Sequence, residues 1–211
     1  MTKLYLHIGT EKTGTTHIQQ FILRNRDKLF SNGYYVPDFL GEFAHTWLPI
    51  LVYEDNKEDD LTDKEKIYEQ DNPNTFINLK IEELKKAVEI YKDTEWVLRS
   101  EHLHARLNDV EIRRLKSLLC PLFSEIKIIV YLRNPIESAV SLWSTVVRAG
   151  KPIKRIPLPG TEWDYICNHK RTIQLWEENF QEKIIPKLYS KRSFFNGNLL
   201  EDFLYQIGSK L

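Results

Sequence analysis

Two rhythms of apolar residues alternate along the chain. Short continuous runs are separated by stretches in which apolar residues recur every three or four positions. The first run, Leu4 to Ile8, predicts a strand. From Thr16 to Phe30 the apolar positions Ile18, Phe21, Ile22, Leu29 and Phe30 predict a helix. Asn32-Gly33 ends it, and Tyr34-Tyr35-Val36 predicts a second strand stopped by Pro37. A helix over Ile77–Tyr91 has Ile77, Ile81, Leu84, Ala87, Val88 and Tyr91 on one face. A strand follows over Glu95–Ser100, then a helix over Asp109–Leu119. The run Ile126–Leu132 is nearly all apolar, as expected of a central strand buried on both faces. A helix from Pro135 to about Ala149 comes next, with Gly150 placed as its C-cap. Lys151–Gly160 holds three prolines and predicts a loop, followed by a helix over Trp163–Phe180. Lys183–Tyr189 predicts a last strand, which Pro186 assigns to a sheet edge, and Leu199–Ile207 a final helix.

Strands that alternate with helices predict an α/β fold, a parallel sheet flanked by helices. The length, 211 residues, suits one domain. Residues 39–75 interrupt the alternation. Phe39–Tyr53 is aromatic and apolar, and Glu54–Asp60 is strongly acidic. The stretch is expected to be an insertion beside the site. Its acidic part is either a solvated face or a gate selecting a basic or polyhydroxyl substrate.

Composition narrows the function. Thirty basic residues balance thirty acidic ones, which argues against a general nucleic-acid binder and makes any anion site local. Two cysteines form no disulfide framework and have no metal-type spacing, which fits a reducing compartment. The start shows no basic region followed by an apolar one, so a cytoplasmic location is expected. No apolar run approaches the ~20 residues needed to span a bilayer.

The candidate chemistry gathers at the ends of three strands, where open parallel sheets hold ligands. After the first strand comes Gly9-Thr10-Glu11-Lys12-Thr13-Gly14-Thr15-Thr16, four hydroxyls and one lysine within eight residues, opening onto a helix. Backbone N–H groups and a helix N-terminus in this arrangement suit a phosphate. After the third predicted strand come Ser100, Glu101 and His102, and after the fourth Arg133-Asn134-Pro135. A nucleotide kinase is the first candidate, yet the Walker pattern needs a lysine after its second glycine. Thr15 stands there, and no apolar strand ends in an aspartate for Mg²⁺.

His7 to Thr16, with its lysine two residues before the second glycine, resembles the 5′-phosphosulfate loop of sulfotransferases that use 3′-phosphoadenosine 5′-phosphosulfate (PAPS). Arg133-Asn134-Pro135 and Ser141, eight residues after the arginine, resemble that family's 3′-phosphate motif. A weaker similarity runs from Leu175-Trp176 to Ile207-Gly208, though the family's further basic-glycine segment has no counterpart in these residues. The resemblance implies a three-layer P-loop-like fold, PAPS as co-substrate without a metal, and an acceptor bearing a hydroxyl or amine, a carbohydrate or small molecule. It implies that Gly9, Lys12, Thr13, Gly14, Thr15 and Thr16 hold the phosphosulfate and that Arg133 and Ser141 hold the 3′-phosphate. Tyr189 matches a position that contacts the adenine. Lys12 would offset charge on the leaving phosphate, and Glu101 or its neighbour His102 would take the acceptor's proton. His45, resembling a histidine near the substrate in bacterial members, is a third base candidate, and Trp47 is expected beside it. A small-metabolite kinase and a non-catalytic nucleotide-binding protein are the alternatives.

Overall fold

The computed structural model describes residues 2–150, 156, 164–181 and 184–209. Five parallel strands, β1 (Lys3–His7), β2 (Tyr34–Tyr35), β3 (Glu95–Arg99), β4 (Glu125–Leu132) and β5 (Ile185–Leu188), form one sheet in the order β2-β3-β1-β4-β5. β1 lies at the centre, with His7 opposite Arg99 on one side and Ile129 on the other. The chain passes from β3 to the far side of β1 when it enters β4, so the carboxyl ends of these three strands border the crevice where the strand order reverses.

Among the described residues are eleven α-helices: α1 (Thr15–Arg24), α2 (Arg26–Ser31), α3 (Trp47–Ile50), α4 (Asp60–Lys64), α5 (Pro73–Ile90), α6 (Glu101–Arg106), α7 (Asp109–Leu119), α8 (Pro135–Arg148), α9 (Asp164–Cys167), α10 (His169–Phe180) and α11 (Leu199–Ile207). Alternate side chains of a strand point to opposite faces, and the two cores divide accordingly. Leu4, Leu6, Trp96, Leu98, Ile128 and Val130 pack with α5, α7, α10 and residues 40–67. Tyr5, Val97, Ile129 and Tyr131 pack with α1, α2 and α11. Helices therefore cover both faces, and the architecture is the three-layer α/β arrangement with a central parallel sheet. α8 packs mainly on α9 through Ala139, Leu142, Val146, Ile166 and Cys167.

Several boundaries differ from expectation for local reasons. The helix read as Thr16–Phe30 is two helices that meet at Asn25, whose side-chain amide and backbone N–H both donate to the Phe21 carbonyl, at 2.8 and 3.1 Å. The helix read as Trp163–Phe180 is α9 and α10, with Asn168 capping α10 through the Arg171 N–H. α5 starts at Pro73, capped by Asn72, instead of Ile77. α6 has no counterpart among the expected elements. The predicted loop Lys151–Gly160, except Ile156, and the starting residues Trp163 and Lys183 lie outside the described residues. β5 is the edge strand that Pro186 requires.

Residues 39–75 sit beside the carboxyl end of β3. Leu40, Trp47, Leu48, Ile50, Leu61 and Ile67 belong to the main core. Of the acidic stretch, Asp59 and Asp60 pair with Arg106 of α6, both contacts at 2.7 Å. Glu54, Asp55 and Glu58 are exposed. Among the described residues no helix is long and apolar enough to cross a membrane.

Candidate active site

The loop after β1 is fixed by its own hydroxyls. Thr13 Oγ1 donates to the Thr10 carbonyl at 2.6 Å, and Thr10 Oγ1 donates to the Tyr131 carbonyl of β4 at 2.6 Å. Thr13 is fully buried, so its side chain serves the turn. Two positive-φ glycines allow close approach. A Cβ on Gly14 (φ 74°) would come within 2.5 Å of Leu199 Cδ2, and one on Gly9 (φ 51°) within 3.2 Å of Glu101 Cα. Lys12 also adopts a left-handed conformation, φ 66°, which costs a residue with a side chain about 1–2 kcal/mol. α1 starts at Thr15 with no side-chain cap, which leaves its first N–H groups for a ligand or water.

A hollow of about 350 Å³ opens over this loop. Glu11, Lys12, Gly14, Thr15 and Thr16 line it from the loop, Glu101 from α6, Leu142 and Thr145 from α8, and His17 and Tyr189 complete it. Lys12 Nζ donates to Thr145 Oγ1 at 2.7 Å. A second hollow, of about 550 Å³, is lined by Arg133, Glu137, Lys191, Phe194 and Leu199 and shares His17 and Tyr189 with the first. Arg133 lies 5.8 Å over the Tyr189 ring, pairs with Glu137 at 3.0 Å, and donates to the Lys12 carbonyl at 3.4 Å. The structure thus brings Lys12, Gly14, Thr15, Thr16, Glu101, Arg133 and Tyr189 around two adjoining hollows, with Gly9 beneath Glu101.

The remaining expected residues lie elsewhere. Ser141 lines neither hollow among the described residues. Its carbonyl accepts from Thr145 Oγ1, one helical turn on, at 3.1 Å. His45 is fully buried in the core. The Arg99 N–H donates to its Nδ1 at 3.0 Å, so Nε2 carries the proton and donates to the Pro37 carbonyl at 2.9 Å. Burial, with the Arg99 charge adding to it, holds His45 well below the ordinary histidine range. Trp47 packs edge-on against Phe76 at 5.5 Å, also in the core. His102 borders the hollow's rim only through its chain neighbour. Arg106 Nε donates to its Nδ1 at 3.1 Å, and burial followed by the Arg106 charge lowers its pKa.

Glu101 Oε2 accepts from Gln19 Nε2 at 2.6 Å. A second carboxylate shares the hollow, Glu11, whose Oε2 accepts from the Tyr165 hydroxyl at 3.1 Å. Burial pushes the Glu11 carboxyl above its usual range. The nearby charge of Glu101 adds to this, while the Tyr165 hydroxyl and Lys12 pull the other way. Sequence reasoning missed Glu11, Thr145, His17 and Lys191. Glu11 and Thr145 had local signals: one lies between Gly9 and Lys12, the other four residues after Ser141, on the same helix face.

No family model matches the chain, and no curated protein matches it. Among solved structures, the fold is similar to the crystal structure of a sulfotransferase from Alicyclobacillus acidocaldarius. The TM-score is 0.54 at 13% identity, over 98% of this chain and 81% of that one. The likeness is one of fold.

Proposed function

We propose that the protein transfers a sulfuryl group from PAPS to a hydroxyl or amine of a carbohydrate or small-molecule acceptor. The observation that carries this reading is the pair of adjoining hollows, one holding Lys12 and Glu101, the other Arg133, with Tyr189 between them. A ligand with anionic groups at both ends of a ribose needs two anion sites a ribose apart. Thr15 and Thr16 at the start of α1 would hold the 5′-phosphate, with Gly9, Thr13 and Gly14 shaping the loop. Arg133 would grip the 3′-phosphate through paired hydrogen bonds once released from Glu137. Tyr189 would face the adenine.

The chemistry is an in-line displacement. The acceptor oxygen or nitrogen forms a bond to sulfur as the bond from sulfur to the 5′-phosphate oxygen breaks. That oxygen leaves with the electron pair, and Lys12 offsets its growing charge. The proton goes to Glu101. The products are a sulfate ester or sulfamate and adenosine 3′,5′-bisphosphate. No protein-bound metal takes part.

Transfer of label from ³⁵S-PAPS to an acceptor library tests the reading. Wild type should label at least one acceptor class, and Lys12→Ala should lose about 10²–10³-fold in kcat. Tight binding of ATP–Mg²⁺ with none of adenosine 3′,5′-bisphosphate would point instead to a kinase and overturn it.

A further inference from the structure

Two carboxylates, not one, open into the reaction hollow, and they are anchored alike. Glu101 Oε2 is held by the Gln19 amide at 2.6 Å, and Glu11 Oε2 by the Tyr165 hydroxyl at 3.1 Å. Both side chains line the same cavity, and among the described residues no second hydrogen bond to either carboxylate is found. The anchoring has its own cost. Gln19 is buried, and its Oε1 has no partner while its nitrogen serves Glu101. The amide is thereby committed to the carboxylate, and its own oxygen is left unsatisfied behind it. Lys12 is the neighbouring cation on the same loop, and it is engaged by Thr145. Arg106, the other cation near the pair, is bound to Asp59 and Asp60.

A single alcohol needs one base. Two carboxylates in one hollow, each with a single hydrogen bond, match an acceptor that offers two neighbouring polar hydrogens. Resting on the sulfuryl-transfer reading, we propose that Glu11 is a second acceptor-binding carboxylate, and that the protein selects acceptors with vicinal donors, a 1,2-diol or 1,2-amino alcohol of the kind borne by sugars. The reacting hydroxyl gives its proton to Glu101 as its oxygen bonds to sulfur. The adjacent hydroxyl donates to Glu11 and keeps its proton. The loop that grips the donor through Lys12 thereby also orients the acceptor.

The test is competition for sulfuryl transfer from PAPS between 1,2-propanediol and 1-propanol, both in large excess, read by mass spectrometry of the sulfate esters. Wild type should favour the diol about tenfold or more, the discrimination expected of one hydrogen bond to a charged group. In Glu11→Gln, Tyr165 claims the one remaining acceptor oxygen, and the preference should fall to within about twofold. Tyr165→Phe should lower it partway by freeing the carboxylate to turn. Adenosine 3′,5′-bisphosphate should bind Glu11→Gln no more weakly than wild type, which separates loss of selectivity from loss of the fold. Equal use of the two alcohols by wild type, no transfer to either alcohol by a protein that binds the bisphosphate, or a preference that survives Glu11→Gln overturns the inference alone. A wild-type protein that neither binds the bisphosphate nor consumes PAPS overturns the reading beneath it.

Discussion

Arg106 Nε donates a hydrogen bond to His102 Nδ1 at 3.1 Å. The guanidinium keeps its charge, so Nδ1 is held as an acceptor and the ring is neutral with its proton on Nε2. A ring in that state has no free lone pair to take a proton. The same Arg106 is clamped by Asp59 and Asp60, which ties His102 to the stretch before α5. Of the neighbours Glu101 and His102, the carboxylate therefore carries the base role in the proposed reaction. His102→Gln should keep kcat within about threefold, whereas Glu101→Gln should lose about 10²–10⁴-fold, the range for a general base. Steady-state kinetics of the two variants distinguishes them, and the reverse ranking would return the role to the histidine.

Lys12 and Thr145 give a second prediction. The hydroxyl at 2.7 Å holds the ammonium over the hollow, although Lys12 starts from a strained backbone conformation. Thr145→Val removes the acceptor and keeps the shape. It should lower kcat by about tenfold, roughly the value of one charge-assisted hydrogen bond, with little change in donor affinity. Thr145→Ser should restore most of the loss. Full activity in Thr145→Val would show that Lys12 is oriented by other means.

Stability should fall on acidification because three buried histidines are neutral in the native state. Burial, then the Arg99 charge, pushes His7 down to about 3. Burial, then the His169 charge, pushes His104 down to about 4. His45 is held well below the ordinary range by burial and Arg99. The unfolded chain binds protons at all three below about pH 6.5, and the native chain does not. Their contribution is complete above that pH and is lost as pH falls, until His104 takes its proton natively near pH 4. At full slope three protons amount to about 4 kcal/mol per pH unit. Glu11 acts in the opposite sense, since its raised carboxyl protonates first in the native state. Urea unfolding between about pH 7 and pH 5 measures the slope, and His104→Gln should reduce it by about one third. An unchanged slope would remove His104 from the account.

The pattern of apolar residues made much of this architecture legible. Asp109–Leu119 and Leu199–Ile207 form helices with the bounds their periodicity and caps imply. The run ending at Leu132 is the strand between β1 and β5, buried over its last five residues. α6 was not legible: Glu-His-Leu-His-Ala-Arg is too short for a period, and its shape depends on Leu103 and His104 being buried against other elements. The placement of Lys12, Glu101 and Arg133 at the carboxyl edge of the sheet was legible because polar residues at strand ends are a local signal. His45 could not be sorted from them, since its burial depends on Arg99 and Pro37. Glu11 has a local signal in its place between Gly9 and Lys12, but its anchor, Tyr165, lies far along the chain and is not legible there.

The two-site clamp is tested most directly by calorimetry of adenosine 3′,5′-bisphosphate and adenosine 5′-monophosphate binding to wild type and Arg133→Ala. Wild type should bind the bisphosphate more tightly. Arg133→Ala should weaken the bisphosphate about 10²-fold, the scale of a paired contact between guanidinium and phosphate, and leave the monophosphate nearly unaffected. Equal affinity of the two nucleotides for wild type, or bisphosphate binding undiminished in Arg133→Ala, would contradict the assignment of Arg133 to a second phosphate.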